Sequence, residues 1–148
     1  MSRRVLFLCT GNSCRSQMAE AIVNARHADQ WRAFSAGSKP AGFVHPMAIG
    51  ALAEIGIAHQ GESKNAEAFR DEDFDLVVTV CDDAAETCPV WLGRGGRAHL
   101  GLRDPATAEG IEAERLAVFR RVRDEILESL PKILAGFVTD PSIPKDRP

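Results

Sequence analysis

The sequence predicts an α/β fold in which a four-stranded parallel sheet is flanked by helices. Two short apolar runs, residues 5–8 and 76–80, have the composition of strands that are covered on both faces. Segments with apolar residues at helical spacing alternate with the strands, as in a sheet with helical crossovers. The 148 residues suit one domain. We expect that domain to span 1–138 and to be followed by a flexible, proline-containing tail at 139–148.

Each element is justified by its own pattern of apolar residues and of residues that end helices. The short helix in the first half begins at its cap, Ser63. Pro131 ends or kinks the long helix in the second half. The predicted strands are residues 4–8, 31–36, 76–80 and 97–100. The predicted helices are residues 16–26, 46–55, 63–69 and 111–134, with a helix or turn at 82–87.

Charge and hydropathy exclude several classes of function. The net charge of −3 argues against a nucleic-acid binder, which is usually basic. No apolar run approaches the roughly 20 residues of a membrane span, and the apolar run at 5–9 is too short for a secretory signal. We therefore expect a cytoplasmic protein, in which the four cysteines serve chemistry rather than a disulfide framework.

The most informative segment lies between the first strand and the first helix and reads CTGNSCRS, residues 9–16. Backbone N–H groups converge in such a loop, and the helix N-terminus adds positive potential that favours an anion. The same potential stabilises the thiolate of Cys9, and the planar guanidinium of Arg15 matches a tetrahedral oxyanion. The segment predicts a thiolate nucleophile aimed at a phosphate-like group.

The other residues of the loop support that nucleophile. Gly11 tolerates positive φ, and Asn12 braces the loop and also tolerates left-handed geometry. Ser16 is predicted to donate a hydrogen bond to the Cys9 thiolate, a role that is compatible with its also being the N-cap of the helix. The predicted substrate-binding residues are Thr10, Gly11, Asn12, Ser13, Cys14 and Arg15.

The loop resembles that of the low-molecular-weight protein tyrosine phosphatases and their relatives, the thioredoxin-coupled arsenate reductases. A second shared element is Asp104-Pro105, which follows the fourth predicted strand. The resemblance covers about residues 4–135. It implies a phosphatase-like fold in which Asp104 is a general acid or positions the oxyanion.

Two further cysteines, Cys81 and Cys88, make the resemblance more specific. Arsenate reductases carry a cysteine pair at this place, whereas the phosphatases typically have tyrosines after Asp-Pro, and this chain has no tyrosine. The resemblance implies that Cys9 attacks arsenate, that Cys81 and then Cys88 carry the disulfide, and that a thioredoxin-type reductant regenerates the enzyme. The alternative is a phosphatase with redox-sensing thiols. Cys14 is a loop component or a local redox protector outside this relay.

The spacing of the pair makes a conformational prediction. If residues 81–88 were helical, the two α-carbons would be about 10.5 Å apart along the axis. A disulfide requires α-carbons within roughly 7 Å. We therefore expect this segment to be partly helical when reduced and looped out when oxidised.

The sequence predicts neither a bound cofactor nor a resident metal ion. Some relatives bind potassium beside the loop, through residues that match Asn12, Glu20 and Ser35, but Asn65 stands where an acidic residue is expected. The arginines at 120, 121 and 123 are predicted to form a solvated helix face.

Overall fold

The computed structural model describes residues 3–81 and 95–138. The strands are β1 (Arg3–Cys9), β2 (Trp31–Gly37), β3 (Leu76–Thr79) and β4 (Gly96–His99). The helices are α1 (Arg15–Arg26), α2 (Pro46–Ala53) and α3 (Glu112–Val138), with 3₁₀ turns at Ala66–Phe69 and Pro105–Thr107. The predictions for residues 82–87, for Cys88 and for the tail at 139–148 lie outside the described residues.

The four described strands form one parallel sheet in the order β2-β1-β3-β4, which confirms the predicted fold class. Strand β1 is paired with a neighbouring strand on each side, and both of its faces are covered by side chains as well. Val5 and Phe7 pack into the larger core cluster with the helices, and Leu6 and Leu8 pack into a smaller cluster on the other face. The alternation follows the two-residue period of a strand. Cys9 is the last residue of β1 and lies where the parallel strands have their carboxyl ends.

The smaller cluster includes aromatic side chains beneath the sheet. Phe34, Phe69 and Phe74 meet in edge-to-face contacts, with ring centroids 5.7–5.9 Å apart. Arg4 lies over Phe34 and Phe74, at 4.8 and 4.6 Å from the ring centroids. These contacts cover the face of the sheet opposite the three helices.

Most element bounds differ from the prediction by one or two residues, and the larger differences are at the short helix and at the end of α3. The short helix is only a 3₁₀ turn that begins at Ala66, and its cap is Asn65, whose side-chain oxygen accepts the N–H of Glu67 at 2.9 Å. Ser63 is not the cap because its hydroxyl donates to the carbonyl of Gly11 at 3.0 Å. A contact with a distant loop has displaced a local one.

Helix α3 continues through Pro131 to Val138, so of the two predicted effects of this proline, an end or a kink, the end is wrong. Proline removes one backbone hydrogen bond from a helix interior. Leu130 and Leu134 lie on either side of it, and both are buried in the larger core cluster. Tertiary packing therefore holds both halves of the helix where local propensity would have ended it.

The prediction of a solvated arginine face on α3 is wrong for Arg123. This side chain is buried, and it donates to the carbonyl of Ala51 and to the carboxylate of Glu54, each at 2.9 Å. Arg120 binds the same carboxylate from the surface. The two arginines thus tie α3 to the end of α2. Within residues 3–81 and 95–138, no helix is long and apolar enough to cross a membrane.

Candidate active site

Cys9 ends β1 with its side chain buried, and two groups contact its sulfur, one from the following loop and one from the start of α1. The Asn12 N–H donates to Cys9 Sγ at 3.3 Å, and Ser16 Oγ lies 2.8 Å from the same sulfur. Asn12 Nδ2 donates to Ser16 Oγ at 2.8 Å, and the serine hydroxyl donates in turn to the sulfur when Cys9 is a thiolate, which carries no hydrogen of its own. Two donors therefore converge on Cys9. Ser16 lies inside α1, whose N-cap is Cys14, so the additional role of Ser16 as N-cap is wrong.

The left-handed residue of the loop is Asn12, with φ of 47°, and not Gly11. The expectation of positive φ at Gly11 is therefore wrong, whereas left-handed geometry at Asn12 is confirmed. Asparagine tolerates this conformation better than most residues. Its side-chain oxygen also accepts the N–H of Lys64 at 2.7 Å and Nε2 of Gln17 at 3.1 Å. These contacts hold the residue in place.

Neighbouring segments turn the carbonyl groups of the loop outward. Thr10, Gly11 and Ser13 each accept a backbone N–H at 2.9–3.0 Å from the segment at 39–45. In a trans peptide the N–H points away from the carbonyl. The N–H groups that follow these carbonyls therefore point to the opposite side, as an anion-binding loop requires.

The end of β2 approaches the loop closely at Gly37. A Cβ atom there would lie 2.4 Å from the carbonyl oxygen of Thr10 and 2.9 Å from that of Cys9. Both are backbone atoms, which cannot move without moving the loop. Glycine is required at this position by the space available rather than by its φ.

Helix α1 begins directly behind the loop. Its N-cap residue, Cys14, provides no side-chain cap, and the first turn carries no acidic residue. The positive end of the helix dipole is therefore not neutralised by its own residues.

Burial raises the pKa of the Cys14 thiol to about 12, with smaller contributions from Asp104 and Cys9. Cys14 is accordingly a neutral thiol near neutral pH.

Arg15 connects the loop to the Asp-Pro segment. Its side chain is buried, Nη1 donates to the carbonyl of Leu102 at 3.2 Å, and Nη2 lies 3.8 Å from Asp104 Oδ2. The other carboxylate oxygen of Asp104 accepts the N–H of Ala106 at 3.0 Å and so caps the second 3₁₀ turn. The structure therefore places Asp104, 89 residues away from Arg15 along the chain, beside the guanidinium.

Cys81 lies at the same edge of the sheet as Cys9. Strand β3 pairs with β1, and the N–H of Val80 continues the ladder by donating to the carbonyl of Leu8 at 2.9 Å. Cys81 follows directly, fully buried, with its sulfur 4.0 Å from that same carbonyl oxygen. The two cysteines thus end neighbouring strands. Cys88 lies outside the described residues.

The residues of the candidate potassium site already contact protein groups. Ser35 donates to a carboxylate oxygen of Glu20 at 2.8 Å, and the side-chain oxygen of Asn12 accepts two N–H donors. Asn65 caps the first 3₁₀ turn. In the part of the chain that the structure describes, no group of three or more His, Cys, Asp or Glu residues is placed to hold a metal ion.

Sequence reasoning did not identify the residues behind the loop. Gln17, Ser63 and the backbone of Lys64 all contact Gly11 or Asn12. Gln17 gave no signal in the apolar pattern of α1, since it lies about 100° or more around the helix axis from Met18, Ala19, Ile22 and Val23. The contacts of Ser63 and Lys64 also had none, because a segment 52 residues away supplies them.

The comparisons with known proteins agree with this geometry. The family model described as "Low molecular weight phosphotyrosine protein phosphatase" matches residues 4–143. Two curated relatives, both arsenate reductases, are 48% identical (Halalkalibacterium halodurans; 85% of this chain, 91% of the relative) and 45% identical (Bacillus subtilis; 82% and 88%). A solved structure, "An arsenate reductase in the phosphate binding state", has a TM-score of 0.75 at 31% identity and covers 91% of this chain and 98% of its own.

The chain therefore belongs to the low molecular weight phosphotyrosine protein phosphatase family. Both the resemblance stated from the loop sequence and the likeness to the arsenate reductases are confirmed.

Proposed function

We propose that this protein is an arsenate reductase in which Cys9 is the nucleophile and Cys81 the second thiol. The observation that carries the proposal is the place of Cys81, buried at the carboxyl end of the strand that pairs with the Cys9 strand. A hydrolytic phosphatase requires no thiol there. The curated relatives named arsenate reductases, and the solved relative named as phosphate-binding, support a tetrahedral oxyanion in the loop.

The first step forms a bond between the Cys9 sulfur and arsenic(V), and an arsenate oxygen departs as water. The N–H groups of the loop and the Arg15 guanidinium bind the remaining oxygens, which carry the negative charge. The donors from Asn12 and Ser16 stabilise the thiolate before the attack. Asp104, beside Arg15, either holds the guanidinium or supplies the proton to the departing oxygen.

The second step distinguishes arsenic from phosphorus. The Cys81 thiolate attacks the Cys9 sulfur, a sulfur–sulfur bond forms and the sulfur–arsenic bond breaks. Its electron pair leaves with arsenic, which is reduced to arsenite while the two thiols are oxidised to a disulfide. A phosphocysteine cannot follow this course because phosphorus(V) does not accept the electron pair under these conditions. The phosphocysteine is hydrolysed by water instead.

The relay ends with a third thiol and an external reductant. Cys88 attacks Cys81, which frees Cys9 and moves the disulfide to Cys81–Cys88. A dithiol protein of the thioredoxin type then reduces that bond. This part of the proposal rests on the sequence position of Cys88 and on the family resemblance. No cofactor needs to remain bound, because the electrons arrive through thiols.

The test couples arsenate reduction to thioredoxin, thioredoxin reductase and NADPH and follows NADPH oxidation. Wild type, Cys81→Ser and Cys88→Ser are compared, together with their hydrolysis of an aryl phosphate. Asn24→Ala serves as the control, since this side chain bonds the backbone of Ala33 at the far end of α1.

We expect sustained turnover of arsenate in wild type and in the control, and none in either cysteine variant. Aryl phosphate hydrolysis should persist in both cysteine variants, because Cys9 and Arg15 are intact. Wild type that hydrolyses the aryl ester but never oxidises NADPH with arsenate would instead identify a phosphatase. Normal arsenate turnover by Cys88→Ser would remove the third thiol from the relay.

A further inference from the structure

Gln17 is the most completely engaged polar side chain behind the nucleophile loop. It is fully buried, in the first turn of α1. Its Nε2 donates to the backbone carbonyl of Asn12 at 3.2 Å, to the side-chain oxygen of Asn12 at 3.1 Å and to the carbonyl of Glu62 at 2.8 Å. A single amide group thus binds both the main chain and the side chain of the left-handed residue.

His59 fixes which way that amide faces. Its Nε2 lies 2.8 Å from Gln17 Oε1, and because the amide oxygen can only accept, the imidazole must donate. A flipped amide would place its oxygen against three other oxygens. Burial lowers the pKa of His59, but both its neutral Nε2–H form and its charged form provide the donor.

Gly61 leaves the space that this pair occupies. A Cβ atom at residue 61 would lie 2.5 Å from Gln17 Oε1 and 2.6 Å from His59 Nε2. The atoms in its way are the ends of two side chains, so a methyl group there would separate the pair without obstructing the backbone. The close approach offers a way to disturb Gln17 without removing its amide.

The contacts continue from Gln17 to the sulfur. Asn12 carries an unusual backbone angle, and that angle directs its N–H at Cys9 while its side chain reaches Ser16. Without Gln17, the Asn12 carbonyl loses a buried hydrogen-bond donor, and such a loss costs about 1–3 kcal/mol in general. Asn12 would then be held in its left-handed conformation by fewer contacts, and a change in its φ and ψ would move its side chain away from Ser16 Oγ, which contacts the Cys9 sulfur.

We propose that Gln17, oriented by His59, is a positioning residue that holds Asn12 in its left-handed conformation and thereby sets the reactivity of Cys9. It does not touch the substrate. The inference rests on the proposed function only in taking Cys9 as the nucleophile. Its test therefore measures Cys9 directly, and arsenate turnover is followed in parallel as a separate result.

The experiment compares wild type with Gln17→Met and Gly61→Ala. Gln17→Met keeps an unbranched side chain of similar length but removes every hydrogen bond, whereas Gly61→Ala only separates the His59–Gln17 pair. Asn24→Ala is the matched control, because it also removes a side-chain amide of α1 that bonds the backbone, but at Ala33. The readouts are the rate of Cys9 alkylation by iodoacetamide, resolved by peptide mass spectrometry, and the protection of Cys9 by inorganic phosphate.

We expect Gln17→Met to slow Cys9 alkylation roughly tenfold and to weaken phosphate protection, since small displacements of reacting groups have effects of this size or larger. Gly61→Ala should change both in the same direction by a smaller factor, and Asn24→Ala should change neither. For arsenate, kcat should fall more than KM rises.

The proposal is overturned if Gln17→Met or Gly61→Ala lowers the melting temperature while Cys9 reacts at the wild-type rate. It is also overturned if Asn24→Ala slows alkylation equally, since general destabilisation would then explain the effect. Should Gln17→Met fail to fold, Gly61→Ala decides by the same criteria. Wild type without arsenate turnover would contradict the proposed function alone, because the alkylation comparison stands independently.

Discussion

The hydroxyl oxygen of Ser16, in the first turn of α1, lies 2.8 Å from the sulfur of Cys9 and accepts a hydrogen bond from Asn12. When Cys9 is a thiolate, its sulfur carries no hydrogen, so the Ser16 hydroxyl is the donor while the Asn12 amide occupies one of the two acceptor sites of its oxygen. The Cys9 thiolate thus accepts one hydrogen bond from a side chain and one from the main chain, and both donors are buried.

We predict that Ser16→Ala slows the alkylation of Cys9 on the order of tenfold to a hundredfold, since a hydrogen bond to a charged group contributes about 1.5–3 kcal/mol. The measurement is the iodoacetamide rate resolved by peptide. Ser38→Ala, a substitution of an exposed serine, is the control and should react as wild type does. Equal rates for all three proteins would show that the 2.8 Å contact does not stabilise the thiolate.

We predict that Gly37→Ala lowers arsenate turnover by roughly a hundredfold or more, since the new methyl group must displace the backbone of Thr10 and Cys9. Gly50→Ala is the matched control, because a Cβ atom there meets nothing within 4 Å inside α2. That control should stabilise the protein by about 0.5–1 kcal/mol by removing a glycine from a helix interior. Steady-state kinetics and thermal melting of both variants measure the contrast. Normal turnover by Gly37→Ala would mean that the loop tolerates displacement.

We predict that Cys14 resists alkylation at about pH 8, where Cys9 reacts, because a thiol whose pKa is raised to about 12 stays protonated. The sign for stability follows from the same shift. The raised pKa means that the contribution of the neutral thiol is complete below its ordinary value of 9.0 and is lost as the pH rises toward 12. Residue-resolved labelling and alkaline melting curves test the two statements, and Cys14→Ala should melt with a weaker alkaline dependence. Equal labelling of the two cysteines would contradict the prediction.

We predict that Glu54→Gln lowers the melting temperature by a few degrees at about pH 7, since the buried Arg123 loses one of its two carboxylate partners and keeps only Asp124. The hydrogen bond from Arg120 is the largest cause that lowers the pKa of Glu54 to about 2. The stabilisation is therefore present above the ordinary value of 4.5 and disappears as the pH falls toward 2. Melting curves across this range should converge for wild type and variant. Glu125→Gln, an exposed position on α3, should track wild type throughout.

The sheet and the nucleophile loop could be predicted from the sequence because their signals are local. The uninterrupted apolar runs predict buried strands, and the loop sequence carries the nucleophile, the glycine and the arginine within eight residues. The carboxyl ends of parallel strands meet at one edge of the sheet, which predicts Cys9 and Cys81 at the same edge, whereas only the structure shows that their strands are neighbours.

What could not be predicted depends on partners distant in the chain. Arg123 was expected in solvent because its neighbours on α3 are charged, and only the end of α2 reveals that it is buried. Pro131 was expected to stop or bend α3, but the core on both sides outweighs the lost hydrogen bond. Asn12 rather than Gly11 has the left-handed angle, because contacts from Gln17 and Lys64 compensate for the strain.

Helix α1 begins at Cys14 without a side-chain cap and without an acidic residue in its first turn. An oxyanion held by the loop would accept the N–H groups that a capping serine or aspartate accepts in other helices. The bound oxyanion would then complete the hydrogen bonds of the first turn of α1. Its binding would therefore stabilise the folded protein, and the binding and folding equilibria would be linked. Any tetrahedral anion bound there before arsenate would complete the helix in the same way, and arsenate would then have to displace it.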